Sequence, residues 1–166
     1  MRFTLLSLIA GIIIAGCGTN DRTAETAADG PKDHIVYADA NDTTMNRAID
    51  KARASIGDFE AVLKNHDSTQ FNFAVKVALP HPGGTEHIWL AKPELEADSV
   101  VGTVESMPAY VKTVTAGQRV RIDRDAISDW MYMEKGKLRG GYTMRVGLEQ
   151  LPDKERDAHK KALGLD

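Results

Sequence analysis

The sequence predicts an α+β domain, with an N-terminal helical segment packed on a bent antiparallel sheet and a peripheral helix at the C-terminus. From Met45 to Leu63 apolar residues recur every three or four positions, which is the spacing of one helical face. At Phe71 the period changes to strict alternation, which indicates a half-buried strand. The connections that follow are short and carry Gly, Pro or Asp, as antiparallel neighbours do. Such a sheet has edges to protect, and a partial barrel is one way to protect them.

The helical segment contains a start signal and an interruption. Asn41, Asp42 and Thr43 supply capping side chains just before the apolar face begins. Gly57 and Asp58 interrupt the pattern, so the segment is predicted to be one kinked helix or two consecutive short helices.

The strands are predicted from alternation and from turn residues. The first covers residues 71–79 and is closed by a Pro-Gly turn. Six further strands are predicted, at residues 85–91, 99–105, 109–114, 117–123, 130–133 and 138–148. Pro152 then occupies a position that a first helical turn accepts, and the polar sequence after it predicts a peripheral helix.

The N-terminus has the pattern of an export signal that ends at the only cysteine, Cys17. Arg2 precedes an apolar stretch, residues 5–15, that is too short for a bilayer span of about 20 residues. These features and the small residues before Cys17 are typical of a secretory signal peptide. The ending Ile-Ala-Gly-Cys resembles the lipobox of bacterial lipoproteins. The resemblance implies a diacylglycerol on the Cys17 thiol, cleavage before it and, because Gly18 rather than Asp follows, transfer to the outer membrane.

The expected organisation has four parts. A signal peptide covers residues 1–16, and the lipidated cysteine with a flexible linker covers 17–41. The folded domain covers 42–150, and the polar C-terminal helix covers 151–166. The lone cysteine excludes a disulfide within the chain.

The net charge of the chain limits the classes of partner that are expected. The chain has 21 basic and 24 acidic side chains, a formal net charge of −3. This balance provides no field of positive charge to neutralise phosphates, so nucleic acid is not an expected partner. Membrane attachment is expected to come from acyl chains, because several chains together hold a protein firmly. The other expected partner is an envelope protein or a small ligand.

Three stretches differ from ordinary strand sequence: EHIWL at 86–90, YVK at 110–112 and ISDWMYMEKGKLRGGYTMRV at 127–146. In this order they resemble the YegJ-like family of bacterial proteins, domain of unknown function 2314. The resemblance covers about residues 45–146 and rests on Trp89, on Ser-Asp-Trp at 128–130 and on Gly-Gly-Tyr-Thr at 140–143. It implies a shared domain and no particular reaction, so it supplies neither a catalytic residue nor a cofactor.

A candidate binding surface is drawn from the same stretches: His87, Trp89, Asp129, Trp130, Gly140, Gly141, Tyr142 and Thr143. The large aromatic side chains form either the core and its rim or a groove for a peptide or small ligand. Two glycines inside a strand pattern indicate a bulge or a tryptophan packed over bare backbone, and a ligand close to the backbone is the other explanation.

Two functional classes remain open. The favoured class is a noncatalytic binding or interaction module held at the envelope by lipid. The alternative is a small hydrolase or transferase in which Asp129 is a general acid or base, with His87 and Tyr142 nearby. Ser128 and Asp129 also have a simpler interpretation, as turn or cap residues that bond to nearby backbone N–H groups.

A metal site is a weaker hypothesis. His81 could approach His87, and Glu86 would add a carboxylate. However, Glu86 and His87 are adjacent, so on a strand they point to opposite faces. The spacing matches no ligand motif, and neither a metal nor another cofactor is expected.

Overall fold

The computed structural model describes residues 42–165, so the predicted signal peptide, the lipidation site and the linker lie outside the described residues. The elements in chain order are α1 (Thr43–Ala54), α2 (Ile56–Asn65), β1 (Gln70–His81), β2 (Gly84–Leu95), β3 (Ser99–Val104), β4 (Arg119–Asp123), a short 3₁₀ turn (Arg124–Ala126), β5 (Ile127–Glu134), β6 (Lys137–Gly140), α3 (Tyr142–Leu148) and α4 (Asp153–Ala162). Within residues 42–165 no helix is both long and apolar enough to cross a membrane.

The six strands form one sheet in the order β4-β3-β2-β1-β5-β6, and every neighbouring pair is antiparallel. The predicted α+β class with a bent antiparallel sheet is confirmed. The pairing register shifts twice between β1 and β5 and once between β2 and β3. Such bulges bend a strand and increase its twist. The sheet stays open, because β4 and β6 form its two edges and do not pair with each other.

The helical segment is two consecutive helices, one of the two predicted forms. The Asp42 side chain caps α1 by accepting backbone N–H groups of the first turn at 2.9 and 3.1 Å. The break falls at Ser55, two residues before Gly57. The Ser55 hydroxyl donates to the Lys51 carbonyl at 2.8 Å, and this side-chain bond competes with continuation of the helix.

One face of the sheet, called here the inner face, packs against α1 and α2. Its core is apolar and includes Ala52, Phe59, Val75, Val77, Ile88, Leu90, Ile127 and Trp130. Phe59 of α2 is fully buried and stacks on Trp130 of β5, with ring centroids 5.3 Å apart. The alternation in the sequence therefore locates the core on this face.

The strand predicted at residues 109–114 is wrong, because this segment is a loop between β3 and β4. Its backbone N–H groups bond to the Glu86 carboxylate rather than to a neighbouring strand. Ala109, Tyr110 and Val111 donate to the two carboxylate oxygens at 2.6, 2.9 and 2.8 Å. A side chain of β2 thus takes the place of a strand partner.

The strand predicted at residues 138–148 is also wrong beyond its first residues, since β6 ends at Gly140 and α3 follows. Gly140 and Gly141 have φ values of +69° and +61°, in the left-handed region that favours glycine. A Cβ on Gly140 would meet the backbone oxygen of Trp130 at 2.2 Å and its ring at 2.4 Å. Close packing of a tryptophan over bare backbone, one of the expected explanations, is what the structure contains.

The C-terminal helix α4 is peripheral, as predicted, and has no buried residue. It begins one residue after Pro152. The chain beyond it returns to the sheet, where the Leu138 N–H donates to the Leu163 carbonyl at 2.8 Å. This bond covers part of the β6 edge, which would otherwise present unpaired backbone groups.

Candidate functional site

The face of the sheet turned away from α1 and α2, called here the outer face, carries a group of polar and aromatic side chains. The strand register places Lys76 opposite Trp89 on one side and opposite Asp129 on the other. Two residues along β1, Ala78 lies opposite His87. Because directly opposed residues of antiparallel strands share a face, three strands bring these side chains together.

Asp129 lies beneath this surface and is completely buried. One carboxylate oxygen accepts the backbone N–H groups of Trp130 at 2.8 Å and Tyr142 at 3.1 Å. The other accepts the Thr143 N–H at 2.8 Å and the Thr143 hydroxyl at 2.7 Å. Asp129 therefore joins β5 to the first turn of α3. It bonds to nearby backbone as the cap interpretation expected, but from within a strand rather than from a turn.

Lys76 extends from β1 to the same threonine. Its ammonium donates to Thr143 Oγ1 at 3.1 Å and lies 5.2 Å from the centroid of the Trp89 ring. Burial lowers the pKa of Lys76, and the charge of Asp129 opposes this shift. Within residues 42–165 no carboxylate forms an ion pair with the ammonium.

His87 and Ser128 form a second contact on the outer face. The Nδ1 atom of His87 lies 2.8 Å from Ser128 Oγ. Ser128 is fully buried at the bulge where the pairing of β5 with β1 shifts by one residue. Desolvation lowers the pKa of His87, and the positive charges of Lys76 and Arg53 lower it further, so the imidazole is neutral at pH 7. His87 as a whole is an exposed residue.

The predicted surface residues separate into two groups. His87, Trp89, Asp129 and Thr143 belong to the outer face, whereas Trp130 lies on the inner face and is 5% exposed. Its indole Nε1 donates to the Ala52 carbonyl at 3.0 Å. The two tryptophans therefore lie on opposite sides of the sheet.

Tyr142 packs with Trp130 and does not belong to the outer face. Its ring meets the Trp130 ring edge to face at 5.6 Å, and its hydroxyl oxygen lies within hydrogen-bond distance of Ser55 Oγ, at 3.3 Å. The glycine pair lies under Trp130 and Leu138, away from Trp89. A groove formed jointly by both tryptophans and the glycines is absent from the described part of the chain.

The residues of the enzyme hypothesis have separate partners. His87 contacts Ser128, Asp129 holds the start of α3, and Tyr142 contacts α1. Within the described residues no hydrogen bond joins any two of these three side chains. The Ser128–His87 contact resembles the nucleophile and base of a hydrolase, but the hydroxyl is fully buried and out of reach of a substrate.

The residues of the metal hypothesis are also apart. Glu86 lies opposite Leu79 on the inner face, and its carboxylate binds the loop between β3 and β4. His81 accepts the Gly83 N–H through Nδ1 and stacks on Tyr110. Across residues 42–165 no three metal-ligating side chains lie close enough to hold an ion.

Sequence reasoning missed Lys76, the most distinctive charged group of the outer face. In the sequence it occupies an ordinary polar position of an alternating strand. One signal was available, because a long cation between Ala74 and Ala78 would have little cover on its own face. Its position between Trp89 and Asp129 depends on the strand register, which the sequence does not specify.

A bacterial family described as "Uncharacterized protein conserved in bacteria (DUF2314)" matches residues 42–166. The chain belongs to this family. The DUF2314 assignment confirms the resemblance that the motifs indicated, and the matched range includes every element of the fold.

Two curated relatives of this DUF2314 chain illustrate the family. Over 125 residues the chain is 34% identical to the uncharacterized protein YegJ of Escherichia coli, covering 75% of this chain and 80% of YegJ. Over 140 residues it is 29% identical to the putative ankyrin repeat protein NMB1133/NMB1171 of Neisseria meningitidis serogroup B. That match covers 80% of this chain and 55% of the relative, so the chain spans about half of that protein's length. No solved structure matches the chain.

Proposed function

We propose that this DUF2314 protein is a lipid-anchored component of the bacterial cell envelope that binds an envelope protein or small ligand and catalyses no reaction. The observation that carries the proposal is the contrast within the outer face. Asp129 directs its oxygens at fixed backbone and hydroxyl donors, which leaves it poorly suited to exchange protons with a substrate. Lys76, Trp89 and His87 instead offer charge, an aromatic surface and a polar edge, which suit recognition.

The anchor follows from the N-terminal sequence. Cys17 ends an apolar run that resembles a lipoprotein signal, and acylation of the mature cysteine would hold the protein in the membrane. A flexible linker over residues 18–41 would extend on the order of 25 Å, so the domain would work close to the membrane. By resemblance to Gram-negative sorting, that membrane is the outer membrane and the domain faces the periplasm.

Affinity purification from envelope extract tests the binding role, with mass spectrometry of retained proteins and small molecules. The outer-face variant His87→Ala/Trp89→Ala is compared with the wild type. Its matched control is His81→Ala/Tyr110→Ala, which also removes one histidine and one aromatic ring, from a stacked pair elsewhere. We expect the outer-face variant to retain at least about tenfold less partner than the wild type, and the control to retain as much as the wild type.

Thermal melting of both variants accompanies the purification, so that loss of the fold is not mistaken for loss of binding. If the outer-face variant is folded and retains the same molecules as the wild type, the outer face is not the binding surface. If nothing is retained by the wild type above the background of bare resin, the binding role itself is wrong.

The anchor has its own test. Cells that express the wild type or Cys17→Ser are fed a fatty acid analogue that can be detected after incorporation. We expect the wild type to be labelled and to fractionate with the outer membrane, because the thiol forms the thioether, and we expect the variant to be unlabelled and uncleaved. Ser7→Ala, a change within the apolar stretch, serves as the control. Labelling of the Cys17→Ser protein would contradict lipidation at this position.

A further inference from the structure

Across residues 42–165 the Lys76 ammonium has no anionic partner, whereas other cations of the outer face have one. Arg119, for example, pairs with Glu94 at 2.7 Å. The Lys76 ammonium has three N–H donors, and one of them donates to Thr143 Oγ1. Asp129 does not neutralise it directly, because its oxygens are directed at backbone N–H groups and at the Thr143 hydroxyl.

His87 provides a second donor on the same face. It is the diagonal neighbour of Lys76 across the β1–β2 pair, a relation that separates Cα atoms by about 7–8 Å. Ser128 Oγ lies 2.8 Å from His87 Nδ1 and 3.3 Å from the Lys76 carbonyl oxygen, and when its single proton is donated to the nearer atom, Nδ1, the ring proton stays on Nε2. In that tautomer His87, an exposed residue, offers a neutral N–H on the same face as the ammonium.

Small apolar side chains lie near these donors. Ala78 lies opposite His87, and Ala91 lies on the same face two positions beyond Trp89. Both alanines are only partly buried. Together with the flat Trp89 ring, these alanines supply the apolar surface of this part of the outer face. We name the group formed by Lys76, Ala78, His87, Trp89 and Ala91 the Lys76 site.

We propose that the Lys76 site binds a small aromatic carboxylate, whose oxygens accept from the Lys76 ammonium and His87 Nε2 and whose ring lies along Trp89. The charge argues for a carboxylate. One unpaired ammonium beside a neutral imidazole matches a single negative charge, whereas a phosphate ester carries about −1.5 to −2 at neutral pH. This inference rests on the proposed binding role of the outer face and specifies its ligand.

Benzoate is the probe, and the full chain in detergent is observed by NMR through its two tryptophan indole N–H signals and the His87 ring. Trp130 is an internal reference, because its indole bonds to Ala52 within the core. We expect benzoate to shift the Trp89 and His87 signals in a saturable way and to leave Trp130 unchanged. Benzamide has the same shape without charge, and it and inorganic phosphate are expected to bind at least about tenfold more weakly.

Two variants locate the charge that recognises benzoate. Lys76→Met keeps a long unbranched side chain without the ammonium, and we expect it to weaken benzoate binding at least about tenfold. Arg119→Met removes a cation of the same face that already has a partner, and we expect it to stay within about twofold of the wild type. Lys76→Arg, which keeps the charge, is expected to bind better than Lys76→Met.

The inference is overturned if benzamide binds as well as benzoate, an outcome that needs no variant, or if folded Lys76→Met binds like the wild type. If benzoate fails to bind while His87→Ala/Trp89→Ala still loses its partner from envelope extract, only the ligand class is wrong. If benzoate binds and His87→Ala/Trp89→Ala loses no envelope partner, the Lys76 site is a carboxylate site and the envelope partner contacts another surface.

Discussion

The two faces of the sheet use the same strands for different purposes, and each contains one tryptophan. On the inner face Trp130 stacks on Phe59 and is 5% exposed. On the outer face Trp89 lies partly exposed beneath the Lys76 ammonium. The difference shows how an alternating sequence separates a face that stabilises the fold from a face that remains available for contacts.

Asp129 connects the two faces. It belongs to the outer face by its register, yet its bonds to Tyr142 and Thr143 hold the helix whose first ring packs on the inner-face Trp130. In the described residues every buried side-chain nitrogen or oxygen has a hydrogen-bond partner. The polar layer under the outer face is therefore part of the stable structure, and the contrast between the faces can be tested one side chain at a time.

The largest effect is expected from Trp130→Ala. Removing a buried tryptophan leaves a cavity against Phe59 and removes the indole bond to the Ala52 carbonyl, so we expect the free energy of unfolding to fall by about 3–5 kcal/mol. The matched change Trp89→Ala is expected to cost less than about 1 kcal/mol, because its ring is only partly buried. Urea denaturation measures both. Equal losses would mean that the outer face is as structural as the inner one.

Asp129→Ala is expected to have the next largest effect, about 2–4 kcal/mol. The change leaves three N–H groups, two of them buried, and the Thr143 hydroxyl without their acceptor, and each unsatisfied buried donor costs about 1–3 kcal/mol before relaxation. Asp123→Ala is the control, since Asp123 accepts one exposed backbone N–H at 2.8 Å and should cost about 1 kcal/mol. Urea denaturation measures both losses. If Asp129→Ala and Asp123→Ala lower the free energy of unfolding equally, Asp129 does not connect the two faces.

The parts of the fold that the sequence predicted are those governed by local period. The switch at Phe71 separates helices from strands, and Asp42 begins α1 as its residue type indicates. The two wrong strands depend on distant contacts. Residues 109–114 have strand-like composition, but the Glu86 carboxylate binds their N–H groups. Residues 142–148 include β-prone side chains, yet they form α3.

The start of α3 explains that second error. Two left-handed glycines end β6, and Asp129 receives the N–H groups that open the helix. The glycine pair was visible in the sequence but was interpreted as lying inside a strand, and the Asp129 contact has no local signature, because the acceptor and the donors are more than ten residues apart. The candidate site was likewise predictable only in part. His87 and Trp89 were found as unusual residues on a strand, whereas the contribution of Lys76 required the register that sets it against both Trp89 and Asp129.

Glu86→Gln tests a polar anchor that belongs to the inner face by its register, with an expected cost of about 1–2 kcal/mol at neutral pH. Burial by itself would raise the pKa of Glu86, but the N–H groups of Val111, Ala109 and Tyr110 outweigh it, so the pKa lies below its ordinary value. The stabilisation is therefore complete above the ordinary glutamate pKa. It is lost as the pH falls through the lower pKa of the folded state.

Urea denaturation at several pH values measures this effect. The stability difference between wild type and Glu86→Gln should be largest at neutral pH and should shrink in acid. Glu94→Gln, which disrupts an exposed ion pair with Arg119, is the control and should change stability by less than about 1 kcal/mol. A Glu86→Gln difference that stays constant between neutral and acidic pH would show that the charge of Glu86 does not hold the loop.

The smallest effect is expected from Lys76→Met, and its small size is informative. The variant loses the bond to Thr143 and the contact with the Trp89 ring, but it also removes the cost of desolvating an ammonium without an anionic partner. These terms oppose each other, so we expect the free energy of unfolding at pH 7 to change by less than about 1 kcal/mol.

The difference between the two proteins should also depend on pH. Burial lowers the pKa of Lys76, so the unfolded chain binds the proton more tightly than the folded chain does. The stability of the wild type therefore rises relative to Lys76→Met as the pH passes from the folded pKa to the ordinary lysine value. Denaturation of both proteins at neutral and alkaline pH measures this change in their difference. A loss of several kcal/mol at pH 7 would place Lys76 with Asp129 among the groups that hold the fold, and the outer face would then lack the stability-neutral cation that a binding surface can use.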